Sequence, residues 1–559
     1  MLTWLNGRDM HEISSEIVPF ADFKGIRCIN DYSEIIQDYS SYLCDESKLA
    51  HQGVQYLFFP TTEGELSTIF KEMGKRNVNV TISGARTGLV GGAVPYGGAI
   101  VSLERFDKIL GLRYDTHSKE WLVKAECGVT IRDLNNWAMN KTFPGLSKNG
   151  SPETKGFLKK YQENDATYFY PPDPTEMGAA LGGTVSTNAS GARTYRYGAT
   201  RNWVRWIRVI LASGEVLEIP RGKYFAAPAG EFTIINSAGN ETVLTIPKYI
   251  MPYTKNAAGI FSAPNMDLID LFIGSEGIFG VITEIEVALH RWNNPISIVQ
   301  FLPSDDKAID FVITLRKEKS IRPDFIEFYS SHALSLLREK QKEAPSIVGM
   351  PQIPEYPTSA VFFDLEFDPE NKDSDYAKLE RIVYRCGSTF AMSWSGYEKR
   401  DLERFTHFRH LLPETVNMII AERKKTIPEL YKLGTDLAVP DHALEEIWKF
   451  YSFLLEGAGL EWVAFGHIGN NHIHINIIPR SLEEMKEALS IYKEFAKKAV
   501  DLGGTISAEH GIGKIKKEFF SIMFSDEQLK EMKAVKMALD PGLMLNPGNV
   551  LDITTDLPR

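Results

Sequence analysis

Residues 83–98 read SGARTGLVGGAVPYGG. The run follows Asn79–Ile82 and precedes Ala99–Leu103, two short β-rich segments, so a strand, a Gly-rich loop and a second strand are expected. Gly84, Gly88, Gly91 and Gly92 let backbone amides come close to an anion, and Ser83 and Thr87 add hydroxyl donors. No GxGxxG opens a helix after a strand, and no Gly-Lys-Ser/Thr ends the loop. The usual nicotinamide-dinucleotide and P-loop readings therefore fail. Taken alone, the stretch reads better as a Gly-rich connecting loop.

Two later stretches repeat the theme. Pro171–Ile219 opens as PPDPTEMGAALGGTVSTNASG, with small residues crowding Gly178–Gly191 around Ser186, Thr187 and Asn188. Leu271–Leu289, LFIGSEGIFGVITEIEVAL, sets Gly274, Gly277 and Gly280 between expected apolar strands. So many small residues mean that backbone meets something closely.

A different chemistry lies in Val463–Asn476, VAFGHIGNNHIHIN, and Thr505–Gly513, TISAEHGIG. Period-two alternation puts His472 and His474 on one strand face and Ile473, Ile475 and Ile477 on the other. Imidazoles and a carboxylate, Glu509, suit a borderline divalent ion with an open position. A lone His-x-His is more often a polar strand face; His467, His510 and the flanking glycines bring the two readings level.

At 559 residues the chain exceeds one ordinary core. A net charge of −11 disfavours general nucleic-acid binding. Four cysteines without a CxxC offer neither an iron–sulfur ligand set nor a disulfide framework. MLTWLNGRDMHEISSEI carries no basic-then-apolar leader, and no apolar run approaches the ~20 residues that span a bilayer. A cytoplasmic protein is expected, with peripheral membrane association left open. Lys148–Asn164 reads as a surface loop and Arg404–Ile420 as a helix broken at Pro413. Alternating strands and helices after Leu289 predict a sheet covered on one face.

Together the Gly-rich and His-rich stretches resemble the vanillyl-alcohol oxidase and p-cresol methylhydroxylase flavoenzymes. Within that superfamily the chain is similar to the FAD-linked D-lactate, glycolate and D-2-hydroxyglutarate dehydrogenases, over roughly Pro60 to Val550. The resemblance implies an α+β fold with a two-part FAD-binding domain of the p-cresol methylhydroxylase type, residues 53–290. A separate α+β substrate domain with an antiparallel sheet follows at 291–522. Residues 523–559 return to the FAD domain, and 1–52 form an N-terminal extension.

The resemblance also implies roles. Ser83, Gly84, Ala85, Arg86, Thr87, Gly88, Gly91 and Gly92 hold the flavin pyrophosphate. Asp173, Pro174, Thr175, Gly178, Gly182, Ser186, Asn188 and Gly191 line the FAD, with Glu276, Gly280, Ile282 and Asn546. Covalent-flavin members often carry a His in the first loop; Ala85 and Arg86 stand there, so noncovalent FAD is implied. The family's Gly-His-x-Gly-Asp-Gly-Asn-x-His and Ala-Glu-His-Gly place a divalent metal, Zn²⁺ or Mn²⁺, on His467, His474 and Glu509. They make His510 the base. Asn470, Asn471 and His472 depart from the pattern where Asp, Gly and Asn are usual, and His472 puts the substrate's identity in doubt. Asn471 can supply a left-handed turn. Arg409 matches the family's carboxylate-binding arginine loosely, and a helix-surface ion pair fits it as well. Asp436 is read as a capping or orienting group.

The reaction implied is oxidation of a small D-2-hydroxy acid to its 2-oxo acid, with hydride passing to flavin N5. D-Lactate is the first choice and longer diacids the second. Two rivals are an alkyl-ether lipid synthase, whose site resembles Ser-His-His-His-Gly, and a non-catalytic electron-relay subunit. Ala-Glu-His-Gly argues against the first and the intact His/Glu set against the second. The electron acceptor is open among quinone, electron-transfer flavoprotein, cytochrome and oxygen, and a homodimer is one open arrangement.

Overall fold

The computed structural model describes residues 23, 25–235, 239, 241–343, 351–367 and 370–552. The N-terminal leader reading concerns residues outside this set.

Four strands make the first sheet: β1 (Cys28–Ile29), β2 (Tyr56–Phe58), β3 (Val80–Ser83) and β4 (Ala99–Ser102), in the order β1-β2-β4-β3. β4 runs parallel to both β2 and β3, so the 83–98 loop crosses the sheet's end between parallel neighbours. The helix Glu63–Lys75 links β2 to β3. Its N-cap Thr62 accepts from the Glu65 amide, and Leu66, Ile69, Phe70 and Met73 form its buried stripe. The sheet also takes in chain from before residue 53. β1 pairs with β2, and Ile35 and Leu43 pack with Val54, Leu57, Phe59 and Ile100.

The second sheet is antiparallel. It comprises β5 (Ile109–Asp115), β6 (Glu120–Glu126), β7 (Thr167–Phe169), β8 (Val204–Ile210) and β9 (Val216–Pro220). A hairpin of β10 (Glu231–Ile235) and β11 (Glu241–Thr245) comes next in the chain, then the long central β12 (Val281–Trp292). The strand order is β5-β6-β12-β8-β9, with β7 beside the far end of β12.

A seven-stranded antiparallel sheet builds the other domain. Its strands are β13 (Ile296–Leu302), β14 (Pro323–Tyr329), β15 (Ser359–Leu365), β16 (Ser393–Gly396), β17 (Leu433–Gly434), β18 (Trp462–Gly466) and β19 (His474–Ile477). The order is β16-β13-β15-β14-β18-β19-β17. The chain is thus α+β, with an FAD-type domain and a separate domain on an antiparallel sheet.

Four local expectations need correction. The second domain's sheet is covered on both faces: Ile326, Phe328, Val361 and Phe363 enter one core, while Phe325, Tyr329, Ala360 and Phe362 enter another. Strands buried on both sides read as continuous apolar runs. Lys148–Asn164 is mostly helix, Pro152–Glu163, capped by Ser151, with Leu158 and Tyr161 buried. The Ser-Pro-Glu start signal outweighs the charge of the stretch. Pro413 does not break its helix, which runs from Lys399 to Lys424. Phe405, Phe408, Leu411, Leu412, Val416 and Ile420 pack into one core on both sides of the proline. That burial outweighs the lost backbone hydrogen bond. In Leu271–Leu289 only one strand forms; the part before β12 is a short helix, Ile269–Phe272, and turns.

The C-terminal stretch closes on the first sheet. Val80 donates to Met544 O (2.8 Å), and Asn546 N donates back to Val80 O (2.7 Å).

Candidate active site

β18 and β19 are antiparallel neighbours, with Phe465 opposite His474. The turn between them carries His467 and His472. Asn471 takes the left-handed conformation (φ 53°), and its side chain is pinned by Val439 O, Asp441 and Arg316. Thr505–Gly513 comes alongside: Ala438 bridges both His472 and Thr505. One ligand atom from each of His467, His472, His474 and Glu509 lies within 4.8 Å of the others.

Each ring is oriented from behind. His467 Nδ1 lies 2.5 Å from Glu327 Oε1, and His474 Nδ1 lies 3.0 Å from Thr435 O. With protons on those nitrogens, Nε2 of both rings is left free for the cluster. His467 Nε2 is 3.2 Å from Glu509 Oε2. Burial pulls His467 down, but the charges of Glu327 and Glu509 outweigh it and hold the ring up at about 8. Burial and then the neighbouring His467 push His474 down to about 4. Glu327 is the opposite face of the first pair: burial raises it, and His467 with Arg409 outweighs burial, bringing it to about 2.

Asp436, fully buried, organises the other half of the site. It accepts from the amides of Glu509 (3.1 Å) and His510 (3.0 Å), from Ser507 Oγ (2.7 Å) and from Lys516 Nζ (2.5 Å). Its carboxylate faces His510 Nδ1 at 3.6 Å. The His510 ring stacks on His474, with centroids 5.8 Å apart and planes 11° apart. Burial holds His510 below its ordinary value, partly offset by Asp436, so a neutral imidazole is poised to accept a proton.

Arg409 projects from the Lys399–Lys424 helix to the same place. Its Nε lies 3.8 Å from Glu327 Oε2, the carboxylate that orients His467. Two residues escaped the sequence reading. Glu327 sits in an all-buried strand, where a single acid between Phe325 and Tyr329 is itself the signal. Lys255 comes from the stretch between β11 and β12, its side chain 2% exposed, with Nζ 2.7 Å from Glu509 Oε2 and 3.3 Å from Gly191 O. Nothing in its local sequence pointed there. A cavity of about 300 Å³ beside the cluster is lined by Ser190, Lys255, Asn470 and Ala508.

The residues expected to hold FAD fall into two kinds. Gly84, Ala85 and Arg86 line a cavity of about 830 Å³ with Gly128, Thr130 and Ala180. At Gly84, Gly88 and Gly92 an added Cβ would meet nothing closer than 3.7 Å. Arg86 is folded back, donating to Gly84 O (3.1 Å) and covering the Tyr42 ring. The Gly84–Arg86 part of this loop borders a cavity in the size range of ligand pockets, which suits a bound pyrophosphate. Gly182 and Gly191 instead meet protein. A Cβ there would stand 2.5 Å from Cys127 Cβ and 1.9 Å from Asp173 O. Glu276 accepts from the amides of Ile512 (2.7 Å) and Gly513 (2.8 Å), and Asn546 donates to Glu276 O. Glu276 thus ties down the His-bearing loop, and Asn546 ties the C-terminal stretch to Glu276 and to β3. Asn188 Oδ1 accepts from the Arg201 amide, and Ile282 lies in β12 against β8.

Comparison with known proteins matches residues 54–154 and 161–220 to an FAD binding domain. Residues 295–550 match the FAD linked oxidases, C-terminal domain. The chain belongs to the FAD-linked oxidases. It is an FAD-dependent oxidoreductase. Among its relatives, a D-lactate dehydrogenase of Anaerostipes hadrus is 27% identical over 514 residues, covering 88% of each chain. A D-2-hydroxyglutarate dehydrogenase of Xanthomonas citri pv. viticola is 26% identical, covering 89% of each. The glycolate oxidase subunit GlcD of Bacillus subtilis is 25% identical, covering 88% of this chain and 87% of that one. A solved alkyldihydroxyacetonephosphate synthase superposes with a TM-score of 0.58 at 14% identity, over 95% of this chain and 84% of that one. That likeness speaks to the fold. Among the described residues no helix is long and apolar enough to cross a membrane.

Proposed function

We propose that this FAD-linked oxidase oxidises a small D-2-hydroxy acid to its 2-oxo acid, D-lactate being the first choice. The observation that carries the reading is the convergence of His510 and Arg409 on the His467/His472/His474/Glu509 cluster. FAD, when bound noncovalently by the first loop, supplies a two-electron acceptor. The chain's own groups do the rest. Arg409 binds the substrate carboxylate through paired guanidinium donors. His510, kept neutral by burial and steadied by Asp436, takes the hydroxyl proton.

His467, His474 and Glu509 would hold a divalent ion, Zn²⁺ or Mn²⁺. The fit rests on three features: Nε2 of two rings is left free by partners on Nδ1, a carboxylate faces them, and all are buried or nearly so. An ion there would polarise the substrate hydroxyl and lower its pKa. The relatives named for D-lactate, D-2-hydroxyglutarate and glycolate support the substrate class.

Anaerobic stopped-flow reduction of the flavin by D- and L-lactate, glycolate and D-2-hydroxyglutarate tests the reading. D-Lactate should bleach the flavin fastest. Bleaching by NAD(P)H or an unrelated alcohol alone would overturn it. His510→Ala should retain FAD and slow reduction by roughly 10²–10⁴, the share of a positioned base. Wild-type rates in that variant would remove His510 from the mechanism.

A further inference from the structure

We propose that His472 is a fourth protein ligand, so that this chain holds its divalent ion with three imidazoles and one carboxylate. The inference rests on the metal reading above and concerns how many ligands the protein supplies. In the resembling family's motif the position is Asn, so this feature belongs to the present chain.

The ring is fully buried on the turn between β18 and β19, its centroid 4.2 Å from that of His474. Its Nε2 lies 3.1 Å from Asp436 Oδ1 and its Nδ1 lies 3.5 Å from Glu509 Oε2. A proton on Nε2 faces the Asp436 carboxylate, which leaves the Nδ1 lone pair turned into the cluster. Nδ1 has no hydrogen-bond partner. A buried polar atom left so is costly unless something else satisfies it. Coordination would satisfy Nδ1. The four donor atoms lie within 4.8 Å of one another. Ligands about 2.1 Å from a tetrahedral ion stand about 3.4 Å apart, so the widest pair would have to close by roughly an ångström on binding. The ammonium of Lys255 on Glu509 Oε2 is the cation that an incoming ion must displace or share with.

The fourth ligand has a chemical consequence. Four protein donors complete a tetrahedral ion and leave it closed. To accept a substrate oxygen as well, the ion must reach five or six coordination. That favours an ion of octahedral habit such as Mn²⁺ over four-coordinate Zn²⁺.

The test uses the full-length flavoprotein, stripped with chelator and reloaded with Co²⁺ as the probe. In chelator competition His472→Asn should bind Co²⁺ at least about tenfold more weakly than wild type, with FAD content and thermal midpoint retained. X-ray absorption at the cobalt edge of the wild type should count three imidazoles, and this measurement decides the matter if the variant does not fold. Two imidazoles in the wild type, or unchanged affinity in a folded His472→Asn, would overturn the inference and leave the metal reading standing. No Co²⁺ bound by the wild type would sink both.

Discussion

The loop at Ser83–Gly92 and the stretch Gly178–Gly191 look alike in composition, yet some of their glycines serve opposite ends. In the first, Gly84, Gly88 and Gly92 have ordinary van der Waals room around a missing Cβ. In the second, Gly182 and Gly191 are glycine because protein backbone or side chain already occupies the Cβ position. The division runs glycine by glycine rather than loop by loop: a Cβ at Gly91 would stand 2.7 Å from Leu49 Cδ2, while one at Gly183 would meet nothing within 4 Å. The same division runs through the acids of the second domain. Glu509 faces the open cluster. Asp364, on β15, is enclosed by protein with Ser297 Oγ as its hydrogen-bond donor.

Three substitutions would break or sharpen this contrast. The largest effect is expected at Gly191→Ala, whose Cβ would sit 1.9 Å from Asp173 O. Main-chain overlap of this kind has no cheap relief, and a loss above about 4 kcal/mol, seen as absence of soluble folded protein, is expected. A normal melting curve would show that the turn has slack and that the contrast is overdrawn.

Next comes Asp364→Asn. Burial raises the Asp364 carboxyl to about 6, only partly offset by Arg193. A carboxyl whose folded pKa exceeds its unfolded value costs stability when ionised. The cost is absent below about 3.9, grows as pH rises towards 6, and is complete above that. At pH 7 the variant should therefore be more stable by on the order of 2–3 kcal/mol. The advantage should shrink between pH 6 and 4. Denaturant midpoints at pH 7 and pH 4.5 measure it, and a constant difference between the two would refute the enclosed-charge account.

The smallest effect is expected at Gly84→Ala. Its Cβ would meet only Ala180 Cβ, at 3.7 Å. The flavin-free protein should melt within about 0.5 kcal/mol of wild type. FAD should bind about tenfold more weakly, equivalent to about 1.4 kcal/mol. Unchanged FAD affinity would mean that the first loop does not touch the cofactor.

Much of the architecture was legible before any tertiary contact. The alternation of Ile473, Ile475 and Ile477 with histidines marked β19 and its two faces, because side-chain period is a local property of a strand. The Thr62 cap and the stripe Leu66, Ile69, Phe70 and Met73 of the Glu63–Lys75 helix are local features of the same kind. The helix at Pro152–Glu163 was legible too, through Ser151-Pro152-Glu153, but the charged composition around it pointed to a loop. Continuity through Pro413 was not legible. It depends on apolar partners supplied by β13, β14 and β15, remote in sequence.

The sequence by itself determined which residue types were available for chemistry: the imidazoles of the 463–476 turn, the Glu509-His510 pair and the open first loop. Only the tertiary structure decided what each of them faces. Glu327 behind His467, Asp436 beneath Glu509 and His510, and Lys255 reaching in from the stretch between β11 and β12 are 140, 73 and 254 residues from the groups they touch. Coulombic and hydrogen-bond partnerships act over a few ångströms of space without regard to chain separation. Local pattern therefore names the reacting groups, and the fold sets their protonation and aim.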